Sequence, residues 1–473
     1  MKRQITALTS LILIFLSPLF FAASAKASSV EAGESWPEGP QVFAESAIVM
    51  EASTGLILYE KNMDEVHYPA SITKIMTALL AIENSNLGDI VTFSKKSVFD
   101  IDVDSSRIGI DVGEQLTMQQ CLYALLLESA NEVAYAMAEH VGGTMDEFAR
   151  MMTERARDLG CKNTNFVNSH GLHNENHYTS AYDMALITRE AMKNETFRKI
   201  FGTRTYRIPP TNIQSETRYC ANHHKFILKQ TYHYDDCIGG KTGYTSKSKY
   251  TLVSVAKRGN LELICVIMRD DTSAHQYTDT QKLFDFGFDN FSVYPIGDQG
   301  TAQILDESPM FTRYNPLLSK AASPIITDKN GYLILPNSAF APDAVKEITF
   351  YPPSEQTADP DSNKVIGKIS YTYQGKYVGG ADILYHSAES LRLAQSPPPA
   401  KENNPTSSPE DPVPEKAEKS LRPIILGGII GLFVLIVVAY FILVERPRLK
   451  RRSAYYKKRA RRKAYRDDDF LNL

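Results

Sequence analysis

Residues 68–77 read YPASITKIMT. Apolar residues recur at helical spacing after Ser71, which predicts a helix over 71–83 that begins at this serine. A separation of three residues places Lys74 on the same face, one turn along. A helix dipole favours an oxyanion beside such a serine, and a neighbouring lysine accepts its hydroxyl proton if burial or a nearby cation lowers the lysine pKa. The stretch therefore predicts a helix whose N-terminus carries a candidate serine nucleophile.

Spacing alone favours a plainer interpretation, an N-capping serine with a solvated lysine. The same Ser-x-x-Lys pattern occurs again at Ser246 and Lys249. Two further motifs favour catalysis. Ser129-Ala130-Asn131 interrupts a helical run predicted over 117–140, and Lys241-Thr242-Gly243 precedes a predicted hairpin. Taken singly they indicate a polar helix face and a glycine turn; together, in this order, the three motifs indicate one site.

In this combination the chain resembles the low-molecular-mass penicillin-binding proteins, the serine-type D-alanyl-D-alanine carboxypeptidases. The resemblance covers roughly residues 41–388 and includes NSHGL at 168–172 and GKTGYT at 240–245. It implies a mixed α/β (α+β) fold, a β-lactamase/DD-peptidase-like antiparallel sheet flanked by helices. A small all-β domain is implied after it.

The resemblance also implies a role for each motif residue. Ser71 attacks the carbonyl between two terminal D-alanines, Lys74 is its general base, and Ser129 relays a proton to the leaving amine. The implied substrate-binding residues are Asn131, Lys241, Thr242, Gly243 and Tyr244. The backbone N–H groups of Ser71 and Tyr244 form the implied oxyanion hole. The implied partners are a peptidoglycan stem peptide ending in D-Ala-D-Ala and β-lactam antibiotics as covalent inhibitors, with no cofactor.

The chain departs from the family pattern at three positions. Glu128 and Ala130 stand where the family usually has Pro and Gly, so the loop is expected either to turn less sharply or to carry an extra charge near the site. Gln276 stands where some members place an arginine, so a second carboxylate-binding cation is not expected there.

The pattern along the chain divides it into regions. Residues 28–290 form the predicted catalytic domain, with hairpins at 47–50 with 56–59 and at 250–256 with 261–268, and a further helix over 144–159. Residues 291–388 show short β-type runs and form the predicted β domain. Residues 389–423 form a proline-rich linker, which we expect to be an extended tether.

Both ends of the chain indicate export and anchoring. Residues 1–27 read as a signal peptide, and residues 424–444 are uncharged and long enough for a transmembrane helix. The basic tail, 445–473, is strongly positive: from Arg446 onward it nets +9 (twelve Lys and Arg, three Asp), so the formal net charge of −3 leaves −12 for the remainder. The positive-inside rule then predicts a single-pass cell-membrane protein with its catalytic part outside and its C-terminus in the cytoplasm.

Other classes of site are disfavoured by composition and spacing. Because the basic tail directly follows an apolar run, it indicates the orientation of a membrane span and not a nucleic-acid-binding surface. His170, His173 and His177 flank a helix-breaking glycine, so no metal site is predicted. Five cysteines exclude a disulfide scaffold, although a bridge between Cys220 and Cys237 stays open. Two rival functions also stay open: a β-lactamase, and a catalytically silent module that binds the wall or senses β-lactams.

Overall fold

The computed structural model describes residues 36–102, 104–229, 231–297, 325–358 and 363–385. The predicted signal peptide, linker (389–423), transmembrane helix and basic tail all lie outside these ranges. Within the described ranges, no helix combines the length and the apolar character that a membrane crossing requires.

A five-stranded antiparallel sheet forms the centre of the first region, in the order β2-β1-β9-β8-β7. Both predicted hairpins are present, as β1 with β2 and as β8 with β9. The last strand in the order, β7, is an edge strand. The strands of this region, with two short two-stranded sheets, are β1 (Ser46–Glu51), β2 (Ile57–Lys61), β3 (Ile90–Thr92), β4 (Gln115–Thr117), β5 (Thr205–Ile208), β6 (Arg218–Ala221), β7 (Cys237–Thr245), β8 (Lys249–Arg258) and β9 (Leu261–Asp270).

Helices cover both faces of this sheet. Alternate residues of β1 explain why: Ile48 and Met50 pack into one apolar cluster, and Ala47 and Val49 pack into another. The helices are α1 (Lys74–Asn84), α2 (Lys95–Phe99), α3 (Met118–Leu127), α4 (Asn131–Gly142), α5 (Met145–Asp158), α6 (Ala181–Ala191), α7 (Glu195–Phe201) and α8 (His275–Asn290). Helices α1–α7 contribute buried residues to the first cluster, and α8 contributes to the second.

Local signals in the sequence account for most helix starts. Thr117 forms a capping box with Gln120, and Thr144 accepts a hydrogen bond from the Glu147 N–H. The first helix differs from the prediction, because Ser71 lies in a short 3-10 turn, Ala70–Thr73, and α1 begins at Lys74. Ala70 has a φ of 51°, so the chain makes a sharp turn just before the serine.

The second region is all-β, as predicted, and its main sheet runs β10-β12-β16-β15-β13. It begins where α8 ends, and its inward residues, such as Ile334 and Ile369, join the same apolar cluster as α8. The two regions therefore share a core. Its strands are β10 (Phe291–Pro295), β11 (Ile325–Thr327), β12 (Tyr332–Pro336), β13 (Val345–Phe350), β14 (Thr357–Ala358), β15 (Lys364–Tyr373) and β16 (Lys376–Tyr385).

All five cysteines lie in the described residues, and all are free. Cys220 and Cys237 are among them, so the bridge that the sequence left open does not form. Burial raises the pKa of both thiols, to about 11 for Cys220 and to about 12 for Cys237. These cysteines pack as small apolar side chains.

Candidate active site

Ser71 and Lys74 form the centre of the site. The Lys74 Nζ atom lies 3.0 Å from the Ser71 Oγ atom, across the single turn that separates them. The serine is partly exposed, whereas the lysine is completely buried. The nucleophile is thus open to a ligand while its neighbouring amine is shielded from water.

Three acceptors surround the Lys74 ammonium. Besides Ser71, it donates to the Asn131 side-chain oxygen at 2.7 Å and to the His170 carbonyl at 2.6 Å. Burial, reinforced by the charge of Lys241, holds the pKa of Lys74 well below its usual value, although buried Glu132 acts in the opposite direction. The structure therefore provides the lowered lysine pKa that the sequence argument requires of a general base.

The Ser129 loop joins α3 to α4 through a sharp turn. Ser129 has a φ of 60°, so the loop turns sharply without glycine at position 130. Its Oγ atom is buried and has no hydrogen-bond partner among the described residues. The Glu128 carboxylate lies 3.2 Å from His223 Nε2 and accepts the Ala221 N–H, so the extra charge is paired and ties the loop to β6.

The edge strand β7 forms the opposite wall. Thr242 and Gly243 face the cleft and Tyr244 is 56% exposed, whereas Lys241 lies beneath, with its Nζ atom 3.0 Å from the Thr242 carbonyl. Burial lowers the pKa of Lys241 to about 7. A Cβ atom on Gly243 would lie 2.9 Å from the Ser71 backbone nitrogen, so only glycine lets the strand approach the serine this closely.

A cavity of about 520 Å³ unites these elements. The predicted site residues that line it are Ser71, Ser129, Asn131, Thr242, Gly243 and Tyr244. Lys74 and Lys241 lie just below it, at 0% and 2% exposure. A larger cavity of about 600 Å³, where Arg189 faces Tyr332 of the β region, contains none of these eight residues. The chemistry therefore belongs to the smaller cavity.

Known proteins share this arrangement. The sequence profile described as D-alanyl-D-alanine carboxypeptidase matches residues 33–272. The chain belongs to this family. The D-alanyl-D-alanine carboxypeptidase DacF of Bacillus subtilis is 35% identical over 300 residues, which are 63% of this chain and 73% of DacF. DacA of Escherichia coli K12 is 27% identical over 373 residues, 76% of this chain and 86% of DacA.

A solved structure supports the same assignment. The Streptomyces K15 DD-transpeptidase matches with a TM-score of 0.50 and 30% identity, over 54% of this chain and all (100%) of that one. The family assignment thus rests on both sequence and fold, and it confirms the resemblance inferred from the three motifs.

In this member of the D-alanyl-D-alanine carboxypeptidase family, the sequence motifs missed the residues that support the site from behind. His177 accepts the Val167 N–H at Nδ1, so its Nε2–H donates to Thr73 Oγ1 over 2.8 Å. Burial lowers the pKa of His177 to about 3, which keeps the ring neutral. His224 lies beneath β7, with Nε2 2.8 Å from Ser254 Oγ, whereas its buried Nδ1 has no hydrogen-bond partner among the described residues. The residues beside His177 and His224 are polar or charged, Asn176 and Lys225 among them, so no local pattern in the sequence indicated this burial.

The histidines at 170, 173 and 177 are not arranged as a metal centre in this carboxypeptidase fold. Both ring nitrogens of His177 are already hydrogen-bonded, and His170 accepts the Leu172 N–H. Among the described residues, one group of three ligand atoms lies within 4.8 Å, from Glu45, Glu65 and His67. Glu45 already pairs with Arg269 and His67 with Ser46, so we assign no metal to it.

Proposed function

We propose that the cleft removes the terminal D-alanine from peptidoglycan stem peptides through an acyl-enzyme on Ser71. The observation that carries the proposal is the completely buried Lys74 amine, held 3.0 Å from the Ser71 hydroxyl oxygen, with a pKa that burial and the charge of Lys241 lower well below the usual lysine value. A serine hydroxyl becomes an effective nucleophile when a positioned base accepts its proton.

The hydrogen bonds around Lys74 fix how it acts. A neutral amine has two N–H groups and one lone pair. If the N–H groups donate to the Asn131 oxygen and the His170 carbonyl, the lone pair is directed at the Ser71 hydroxyl. Lys74 then accepts the proton as the Ser71 oxygen bonds to the carbonyl carbon between the two D-alanines.

Breakage of the peptide bond needs a proton on the leaving nitrogen. Ser129 lies in the same cleft with a hydroxyl that makes no hydrogen bond to a described protein group. We assign it the relay of a proton from Lys74 to the departing D-alanine amine. Asn131, bonded to Lys74, holds the base and the substrate amide in register.

The edge strand positions the substrate. An extended peptide can add to β7, the free edge of the sheet, and Gly243 leaves room for it against the Ser71 turn. In this pose the Ser71 and Tyr244 N–H groups stabilise the oxyanion, a contribution of about 3 kcal/mol per donor. Thr242 and the charge of Lys241 favour the terminal carboxylate.

Water then releases the shortened peptide from Ser71. β-Lactams carry a reactive amide in the same setting, so they acylate Ser71 and act as covalent inhibitors. The physiological setting that follows is peptidoglycan biosynthesis and hence cell-wall biogenesis and cell shape.

The test combines two measurements on the exported chain. A peptide ending in D-Ala-D-Ala should release D-alanine, and intact mass after benzylpenicillin should show one adduct that is lost in Ser71→Ala. Absence of a Ser71-dependent adduct would refute the acyl-enzyme. An adduct without D-alanine release would favour the silent module, and rapid loss of the adduct with penicillin turnover would favour a β-lactamase.

We also infer that residues 1–27 direct export and that 424–444 anchor the chain as a single span, with the C-terminus in the cytoplasm. The support is the uncharged run of 21 residues and the twelve basic residues that follow it. A chain ending at residue 423 should leave the membrane fraction; retention there would refute this anchor.

A further inference from the structure

The cleft lacks a cation at Gln276, the position where some family members place an arginine. Gln276 opens the first turn of α8 and lines the cavity, but its side chain is neutral and 3% exposed. Its Nε2 atom lies 3.5 Å from the Ser273 Oγ atom. Any full positive charge for an anionic substrate end must therefore come from another element.

Lys225 supplies such a charge from the segment between β6 and β7. Its side chain is half-buried and lines the same cavity as Ser71 and Thr242. The ammonium lies 5.2 Å from the Tyr232 ring centroid and 5.4 Å from that of Tyr277, and these rings hold the side chain in place. No carboxylate of the described residues forms an ion pair with it.

Two further donors lie beside this ammonium, the Ser273 hydroxyl and the Gln276 amide. Ser273 Oγ accepts from Lys225 Nζ at 3.3 Å and lies within 3.5 Å of the Gln276 amide, so the hydroxyl hydrogen of Ser273 is free to point elsewhere. All three side chains line the cavity. A cluster of an ammonium, a hydroxyl and an amide is suited to a carboxylate.

The other charges at the cleft do not fill this role. Lys241 is buried under β7 and does not line the cavity, so it acts through its field and not by contact. The acids in the lining, Asp102 and Asp104, belong to the segment whose Ser106 carbonyl accepts the Asn131 N–H. They therefore lie toward the Ser129 loop, while Lys225 is bonded to the Ser273 side.

We propose that Lys225, with Ser273, binds the C-terminal carboxylate of the substrate and so makes the cleft specific for peptides with a free carboxyl end. This inference rests on the proposed carboxypeptidase function and assigns the contact that Gln276 does not make. The same contact should bind the carboxylate of β-lactams.

The test compares two substrates in three variants. Wild type, Lys225→Met and Lys225→Arg are assayed on an acyl-D-Ala-D-Ala peptide and on its C-terminal amide. Methionine keeps an apolar stem over the two rings and removes only the charge. The carboxylate-over-amide ratio of kcat/KM should fall about tenfold or more in Lys225→Met, as expected for loss of a contact to a charged group. Lys225→Arg should retain most of it.

Lys199, exposed on α7 and outside the cavity lining, provides the matched control. Lys199→Met should keep the wild-type ratio. An equal fall on both substrates in Lys225→Met would show a structural role and overturn the proposal, as would an unchanged ratio.

A second measurement separates this proposal from the proposed function. Acylation of Ser71 by benzylpenicillin and by its methyl ester is followed by intact mass in the same variants. If wild type acylates but releases no D-alanine, the carboxypeptidase function fails. The two acylation rates then still test the carboxylate contact. If Lys225→Met slows acylation by the free acid only, the contact is supported; if it slows acylation by the acid and the ester equally, or slows neither, the contact is refuted.

Discussion

Gly171 and Ala70 are in direct contact across the back of the Ser71 turn. A Cβ atom built on Gly171 would lie 1.9 Å from the Ala70 carbonyl oxygen, and both residues have positive φ, 84° and 51°. The loop that supplies the His170 carbonyl to Lys74 is therefore locked onto the turn that carries the nucleophile. This contact places the His170 carbonyl against the turn that holds both Lys74 and Ser71, so it offers a direct test of how the site is positioned.

Gly171→Ala should destabilise the protein by about 2 to 5 kcal/mol, since it combines a strained φ with overpacking against a carbonyl. Displacement of the turn should also slow acylation of Ser71. Urea unfolding and the rate of benzylpenicillin adduct formation measure the two effects.

Gly259→Ala is the matched control. Gly259 also has a positive φ, 59°, but no atom lies within 4 Å of its Cβ position. This variant should lose only about 1 to 2 kcal/mol and should acylate at the wild-type rate. Equal losses in the two variants would contradict a specific Gly171–Ala70 contact.

Ser129→Ala should separate catalysis from stability. Because the hydroxyl has no protein partner among the described residues, its removal should change the free energy of unfolding by less than about 0.5 kcal/mol. Release of D-alanine should fall about 10²- to 10⁴-fold, the usual contribution of a proton-transfer group. A variant that unfolds earlier but retains its turnover would indicate a structural serine instead.

Much of the site was predictable because its motifs are short and local. Ser71 and Lys74 are one turn apart, and the Thr117 cap and the interruption at Ser129 follow from residue types within a few positions. The hairpins around β1 and β9 followed from alternating patterns and turn residues. Local rules therefore gave the elements, whereas the combination of the three motifs and the family resemblance gave the site residues.

Long-range contacts could not be predicted in this way. The His170 carbonyl reaches Lys74 across 96 residues, and Lys225 meets Ser273 across 48. Neither contact has a periodic signature, because tertiary packing alone brings the segments together. The shared core of the two regions was also missed, since no local pattern reveals that α8 and the second sheet bury one cluster.

The rate of Ser71 acylation should decline both at low pH and at high pH. Only the decline at high pH should depend on whether the acylating compound has a free carboxylate. As pH falls through the pKa of Lys74, the amine gains a proton and the rate falls; this limb should lie well below 10.5, the ordinary lysine value. As pH rises through about 7, Lys241 loses its charge, which should weaken binding of a free carboxylate. Benzylpenicillin should therefore show an alkaline decline that its methyl ester lacks. The same decline with both compounds would contradict a role for the Lys241 charge.

Buried neutral histidine should make stability depend on pH. Burial, reinforced by the charge of Lys241, lowers the pKa of His224 from 6.5 to about 3, so the unfolded chain binds a proton that the folded chain does not. Stability should fall as pH drops below about 6.5, and this one group should account for about 2 kcal/mol of the loss between pH 7 and pH 5. In His224→Gln the loss between these two pH values should be smaller by that amount, as measured by urea unfolding.

Ser254→Ala serves as the control for this effect. It removes the hydroxyl that His224 Nε2 contacts at 2.8 Å but leaves the imidazole buried, so stability should be lower at both pH values with the wild-type difference between them. If His224→Gln keeps the full wild-type loss, protonation of this histidine does not limit stability. If the loss of stability between pH 7 and pH 5 is reduced by the same amount in Ser254→Ala, the effect is due to the hydrogen bond and not to protonation of His224.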